Sequence, residues 1–120
     1  NINIIYGNFV ELISNKYDLF IVDYLGSVVI KHLICLKVPI IIYGSQFKNM
    51  GLNESIMKDI YNRFYIAEDK SKLLNILTLY KNGKLPSKWN EEIIDNYIYP
   101  LNKGNPGKNI AQYIEKSILN

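Results

Sequence analysis

Three short apolar runs, each ending at a polar corner, constrain the fold of this chain more than any other feature. They are INIIY (residues 2–6), DLFIVDY (residues 18–24) and PIIIYG (residues 39–44). Nearly continuous apolar runs of this length are typical of parallel strands covered on both faces. Helical patterns at residues 9–15 and 27–37 separate them, so the order strand, helix, strand, helix, strand predicts an α/β parallel sheet with right-handed crossovers.

The rest of the chain is predicted to be mainly helical. Asn53 can cap a helix that leads to a short edge strand at residues 64–67, and residues 68–82 have helical spacing closed by Gly83. Two further helices are expected at residues 87–99 and 107–119. We therefore predict a three-layer, Rossmann-like parallel sheet of about three to four strands with helices on both faces. Residues 1–86 would form it, and residues 87–120 would be C-terminal helices packing on it.

Composition indicates one globular domain and excludes several other classes. The chain has 120 residues, of which 48% are hydrophobic and 21% charged, as in ordinary folded domains. The net charge of +3 comes from scattered lysines, whereas nucleic-acid binding favours a basic stripe, so no nucleic-acid partner is expected. Cys35 is the single cysteine, which excludes an internal disulfide and favours a reducing, cytoplasmic setting. No apolar run approaches the length of a membrane span.

The corner after the second strand is the first candidate ligand site. Ligands of open α/β sheets bind beyond the carboxyl ends of the strands, and residues 23–27 (Asp-Tyr-Leu-Gly-Ser) lie there. Gly26 permits a close approach of the backbone, and Ser27 offers a hydroxyl that suits a phosphate oxygen. A purely structural interpretation is equally physical, because Gly26 can turn the chain and Ser27 can cap the next helix. Asp23 could act as a base or cap a neighbouring turn.

The loop after the third strand is a second candidate at the same edge. Gly44, Ser45 and Gln46 follow that strand directly, although such a loop can also be plain solvent-facing chain. Residues 104–109 (GNPGKN) do not have the spacing of a P-loop, and no strand precedes them, so a turn that starts the last helix is the better interpretation. We expect no metal site and no resident cofactor.

One stretch resembles a known family. The sequence YDLFIVDYLGSVVIKHLICLKVPIIIY, residues 17–43, is similar to the C-terminal lobe of GT-B-type glycosyltransferases. It looks most like bacterial capsule and surface-polysaccharide enzymes and the glycerophosphotransferases of teichoic-acid synthesis. The similarity spans residues 2–42 and covers the helical tail only loosely. Aligning Pro39 with the family's proline places Ser27 on a serine of the Asp-Tyr-Ser-Ser corner and His32 on a Glu or Asp position.

The resemblance implies a donor site for a nucleotide-activated sugar or a CDP-linked polyol. By that resemblance, Tyr24, the amides around Gly26 and the Ser27 hydroxyl would meet the donor phosphates, and His32 would face the sugar or ribose. This sequence departs from the pattern at His32, where a neutral imidazole would have to replace a carboxylate as hydrogen-bond acceptor. Leu25 and Gly26 also replace a second hydroxyl, which reduces the phosphate contacts. His32 could instead be a structural residue of an apolar helix.

The same resemblance implies that another lobe supplies part of the active site. The glycan or lipid-linked acceptor and the general base would come from an N-terminal lobe, so this stretch by itself would be inactive and part of a larger enzyme at the inner face of the membrane. The few strands and the first residue, Asn1, also lead us to expect a half-domain. Two alternatives stay open, a nucleotide-sugar 2-epimerase of similar fold and a noncatalytic flavodoxin-like binding module.

Overall fold

The chain is a mixed α/β protein in the part that the computed structural model describes, residues 17–23, 28–45, 50–97 and 106–119. The strand predicted at residues 2–6 and the helix predicted at residues 9–15 lie outside these ranges. The described elements are β1 (Phe20–Val22), α1 (Val28–Leu33), β2 (Ile40–Tyr43), α2 (Glu54–Arg63), β3 (Tyr65–Ala67), α3 (Lys70–Lys81), α4 (Glu91–Tyr97) and α5 (Pro106–Leu119).

The described strands form one sheet in the order β1-β2-β3, and both strand pairs are parallel. Val22 pairs with Ile42, and Ile42 in turn pairs with Ile66. The crossovers contain α1 and α2, as parallel neighbours require. The predicted parallel α/β sheet with alternating strands and helices is therefore confirmed.

The core of the sheet is β2. Ile40, Ile41 and Ile42 are at most 2% exposed, and successive side chains of a strand point to opposite faces, so β2 is covered on both. Each fully buried isoleucine stabilises the fold by about 1.5–3 kcal/mol relative to an exposed one. Other buried apolar residues among those described before residue 90 include Ile30, Leu33, Ile34, Phe64 and Ala67.

The first described strand is less buried than its apolar sequence predicts. Ile21 is 48% exposed, whereas Phe20 and Val22 are half-buried. In the described part of the sheet, β2 is the strand with neighbours on both sides and β1 is paired with β2 alone. The expectation that this run is covered on both faces therefore holds for β2 and not for the Ile21 face of β1.

The ends of α2 and α3 have clear physical causes. The Asn53 side chain accepts a hydrogen bond from the Ile56 amide at 2.9 Å, which confirms the predicted cap. Helix α3 begins after Asp69, whose carboxylate accepts from the Lys72 amide at 2.8 Å, so it starts two residues later than the predicted Glu68. It ends at Lys81, and Gly83 follows the cap residue Asn82 with a φ of 67° that suits glycine, as predicted.

Helix α1 is shorter than the sequence predicts and ends at Leu33 instead of Lys37. The Ile34 amide still donates to the Ile30 carbonyl at 2.9 Å, but the Leu36 amide donates to Leu33, only three residues back, at 2.9 Å. The helix thus tightens and ends. Its β-branched residues lower helix propensity, and Pro39, which follows shortly afterwards, cannot continue a helix.

The chain divides into two units, Asn1–Trp89 and Asn90–Asn120. In the second unit, the Asn90 side chain accepts from the Ile93 amide at 3.2 Å and caps α4, in which Ile93 and Ile94 are buried. Helix α5 exposes several apolar side chains, Ile110, Tyr113, Ile114 and Ile118. None of the helices described has the length and apolar character needed to cross a membrane. The division predicted after Pro86, and the packing of the last helices on the sheet, stay predictions.

Candidate ligand-binding edge of the sheet

The carboxyl ends of the three strands lie side by side at one edge of the sheet. Val22 pairs with Ile42 and Ile42 pairs with Ile66, so these three residues form one row across the strands, and Tyr43 pairs with Ala67. Asp23 is the first residue after β1, and Gly44 is the first residue after β2. Because neighbouring strands are about 4.8 Å apart, this row is about 10 Å long. The two loops predicted from the sequence to carry a ligand therefore leave the sheet next to each other.

Gly44 makes the turn that ends β2. Its φ is 137°, in the region that side-chain-bearing residues rarely adopt. Its amide donates to the Ala67 carbonyl at 2.9 Å, so this N–H extends the pairing with β3 and is occupied within the protein. Ser45 follows and is exposed, which makes its hydroxyl the more accessible of the two predicted contacts.

Four predicted donor contacts lie outside the described residues: Tyr24, Gly26, Ser27 and Gln46. Ser27 immediately precedes Val28, the first residue of α1, which is the position that an N-cap occupies in sequence. Its predicted roles as cap and as phosphate ligand both stay predictions.

His32 lies in the last turn of α1 and is exposed. It is about 6 Å along the helix axis from Val28, given a rise of 1.5 Å per residue. Lys31 and His32 together provide basic groups at the end of the helix, where they complement its negative end. The structure thus offers a structural reason for a basic residue here, and the predicted contact with the donor stays a prediction.

Two acidic residues after β3 stabilise the beginning of α3. The Glu68 carboxylate forms an ion pair with Lys72 at 2.7 Å, and the neighbouring Asp69 caps the helix through the Lys72 amide. The hydrogen bond to Glu68 is the main cause of the raised pKa of Lys72. Within the ranges described, His, Cys, Asp and Glu side chains form no group of three suited to a metal ion.

Arg63 is the buried polar residue that the sequence analysis did not single out. It is 0% exposed, and its guanidinium donates to five backbone carbonyls. Nε reaches Ile34 at 3.2 Å, Nη1 reaches Ser87 at 3.0 Å and Val38 at 3.5 Å, and Nη2 reaches Leu33 at 3.5 Å and Leu36. A guanidinium has five N–H donors, so each has an acceptor.

Arg63 remains cationic despite its burial. Desolvation lowers the pKa of Arg63 to about 10, which is still far above neutral pH. The carbonyls at the end of α1 carry the negative end of the helix dipole and compensate part of the charge. Burial raises the pKa of the nearby Cys35 thiol, and the Arg63 charge offsets this only partly, so the thiol is protonated at neutral pH.

Residues 84–89, which we call the strap, are bonded to the same end of the fold. The Tyr65 hydroxyl donates to the Pro86 carbonyl at 2.7 Å. The Lys88 ammonium donates to the carbonyls of Tyr61 at 2.9 Å and Phe64 at 3.1 Å, at the end of α2. The ammonium also lies 4.2 Å from the centre of the Tyr65 ring. Burial lowers the pKa of Lys88 and raises that of Tyr65.

The strap and the hydrogen-bonded Arg63 guanidinium are structural features rather than a second candidate ligand site. In a parallel α/β sheet the carboxyl ends of the helices lie near the amino ends of the strands, opposite the ligand edge. Among the residues described, no buried side-chain nitrogen or oxygen lacks a hydrogen-bond partner. A sequence signal did exist for Arg63, which is the one arginine of the chain and ends an amphipathic helix, but periodicity alone cannot show where its side chain points.

Three comparisons of this chain with known proteins found no match. No family model matches the chain. No curated protein and no solved structure matches it either.

Proposed function

We propose that this chain is the donor-binding portion of a GT-B-type glycosyltransferase or polyol-phosphate transferase that acts in surface-polysaccharide synthesis. The observation that carries the proposal is the parallel pairing of Val22 with Ile42 near the carboxyl ends of β1 and β2. Asp23 follows β1 and Gly44 follows β2, so the chain leaves both strands at the edge where open α/β sheets bind ligands. The sequence similarity of residues 2–42 to the C-terminal lobe of these enzymes supports the same assignment.

The donor would be a nucleoside diphosphate linked to a sugar or polyol. In this proposal the Ser27 hydroxyl and the amides around Gly26 bind the phosphates, and Ser45 adds a hydroxyl from the neighbouring loop. Gly44 acts through its backbone turn, because its amide is already bonded to Ala67. The acceptor and the general base are supplied from another lobe, so this stretch binds the donor without completing the transfer.

The test is a titration of the ¹⁵N-labelled protein with UDP-glucose and CDP-glycerol, followed by amide chemical shifts. The largest changes are expected at residues 23–28 and 43–46, and the amide chemical shifts around Arg63 should stay unchanged. Shifts confined to other residues, or none at millimolar ligand, would show that this edge is not a donor site.

Two variants test whether Ser27 itself contributes to donor binding. Ser27→Ala should weaken donor binding about two- to tenfold, because a neutral hydrogen bond contributes about 0.5–1.5 kcal/mol. Ser71→Ala is the matched control, since Ser71 is exposed on α3, and it should leave the affinity unchanged. Equal effects of both variants would contradict a specific role for Ser27. Thermal unfolding of each variant checks that the fold is intact.

A further inference from the structure

The backbone at the start of β3 presents hydrogen-bonding groups on the edge that faces away from β2. The Gly44 amide donates to the Ala67 carbonyl, so the backbone groups of Ala67 face β2. Because these groups alternate in direction along a strand, those of Ile66 face the outer edge. Phe64 has an extended backbone with a φ of −116° and a ψ of 154°, so by the same alternation its carbonyl also faces outward.

The strap covers this outer edge with a cation. The Lys88 ammonium donates to the Phe64 carbonyl at 3.1 Å and to the Tyr61 carbonyl at 2.9 Å. The Tyr65 hydroxyl holds the strap beside it by donating to the Pro86 carbonyl at 2.7 Å. Lys88 makes its contacts although its φ is 54°, a conformation that costs energy in any residue with a side chain.

We propose that the strap prevents the β3 edge of one copy of this chain from pairing with the β3 edge of a second copy. In the described part of the sheet, β3 pairs with β2 alone. Residues 64–67 (Phe-Tyr-Ile-Ala) carry no formal charge and include two aromatic residues, a composition that favours strand pairing. Exposed strand edges of this kind associate with one another unless a charge or a covering segment prevents it.

The second copy is the partner that fits this edge. Two identical edges related by a two-fold axis pair antiparallel, and each can donate and accept through Ile66. With Lys88 in place, the outward carbonyl of Phe64 is already occupied. Two ammonium groups would also approach each other across the axis, and like charges in that arrangement oppose pairing. Loss of the Lys88 ammonium should therefore turn the β3 edge into a self-association surface.

The experiment compares full-length wild type with Lys88→Gly by sedimentation velocity over a range of concentrations. Glycine removes the ammonium and suits the φ of 54°, so the path of the strap is kept. Small interfaces are weak, so we expect Lys88→Gly to dimerise with a dissociation constant of about 0.1–1 mM. Its average mass should rise toward twice that of the single chain, whereas wild type should stay monomeric over the same range.

Lys84→Gly is the matched control, because Lys84 is an exposed residue of the strap and its loss changes the net charge equally. Amide chemical shifts locate the contact, and in Lys88→Gly they should change with concentration at residues 64–68. A monomeric, folded Lys88→Gly would refute the proposal. Equal association of wild type or Lys84→Gly would refute it as well, as would shift changes confined to α5, which also exposes apolar side chains.

Lys88→Asn is measured if Lys88→Gly does not fold. Asparagine tolerates a positive φ better than most residues and carries no ammonium, so this variant should associate in the same way. A segment that only protects a strand edge is not needed for a single chain to fold. Failure of both variants to fold would therefore also contradict the proposal.

Discussion

The Nη1 atom of Arg63 lies 3.0 Å from the carbonyl oxygen of Ser87, 24 residues further along the chain. The same guanidinium reaches the carbonyl of Ile34, 29 residues earlier. One side chain at the end of α2 therefore connects the end of α1 with the strap. The bonded carbonyls lie at the end of α1, in the segment from α1 to β2, and in the strap. The guanidinium gives them a donor beyond the regular hydrogen bonds of helices and strands.

Replacing Arg63 should be the most destabilising single change in the described core. Arg63→Met removes five hydrogen bonds to backbone carbonyls. The Leu33 carbonyl keeps its bond from the Leu36 amide, and each buried carbonyl left without a donor costs about 1–3 kcal/mol. We expect a loss of at least about 3 kcal/mol in the free energy of unfolding, measured by urea denaturation. If Arg63→Met does not fold, the stability of Arg63→Lys is measured instead, because lysine keeps the positive charge but lacks the planar guanidinium.

Lys58→Met is the control for the Arg63 variants. Lys58 lies on the same helix and is exposed, and exposed substitutions of this kind change stability by less than about 0.5 kcal/mol. Similar losses for Lys58→Met and Arg63→Met would show that the five hydrogen bonds do not stabilise the fold.

The Tyr65 hydroxyl should make stability depend on alkaline pH. Burial raises the pKa of Tyr65 above its ordinary value of 10.0, so between these two values the folded chain keeps a proton that the unfolded chain has lost. The stabilisation from the Tyr65 hydroxyl is therefore complete below pH 10 and decreases as the pH rises through the pKa of Tyr65 in the folded chain. Tyr65→Phe should cost about 0.5–1.5 kcal/mol at pH 7, and the difference from wild type should shrink as the pH rises above 10.0.

Urea denaturation at several pH values measures this difference. Tyr113→Phe is the control, because Tyr113 is 75% exposed, and its difference from wild type should stay near zero throughout. A constant difference for Tyr65→Phe across the range would contradict a role for the proton that Tyr65 donates to Pro86.

Lys88 combines a strained backbone with a stabilising side chain. Its φ is 54°, and its ammonium bonds the two carbonyls at the end of α2. Lys88→Ala loses the bonds and keeps the strain, whereas Lys88→Gly loses the bonds and relieves the strain. We expect both variants to be less stable than wild type, and the alanine variant to be less stable than the glycine variant by about 0.5–1 kcal/mol. Thermal unfolding ranks the three proteins, and the reverse order would refute the backbone assignment.

Asp69 should stabilise α3 as a cap and not mainly through its charge. Asp69→Ala removes the acceptor for the Lys72 amide and should cost about 1 kcal/mol. Asp69→Asn keeps a capping oxygen and should stay close to wild type in urea denaturation. Equal losses for both variants would mean that the negative charge, and not the hydrogen bond, is the stabilising feature.

Much of the described fold follows from local sequence patterns. The apolar runs predict β1 and β2, Asn53 predicts the start of α2, and Gly83 predicts the end of α3, because strand burial, capping and left-handed turns depend on residues close together in the chain. The candidate edge was predicted in the same way, from the rule that ligands bind beyond parallel strands. The pairing of Val22 with Ile42, which brings the ends of β1 and β2 together, is a matter of register that no local pattern contains.

The sequence by itself determined which segments become strands and helices and which corners can meet a ligand. Tertiary structure decided the burial of Arg63, the bonding of the strap and the exposure of Ile21. Each of these depends on groups distant in sequence, such as Arg63 and Ile34, 29 residues apart. A guanidinium is stable inside a protein only where folding brings enough acceptors around it. The periodicity of one segment does not show where those acceptors will lie.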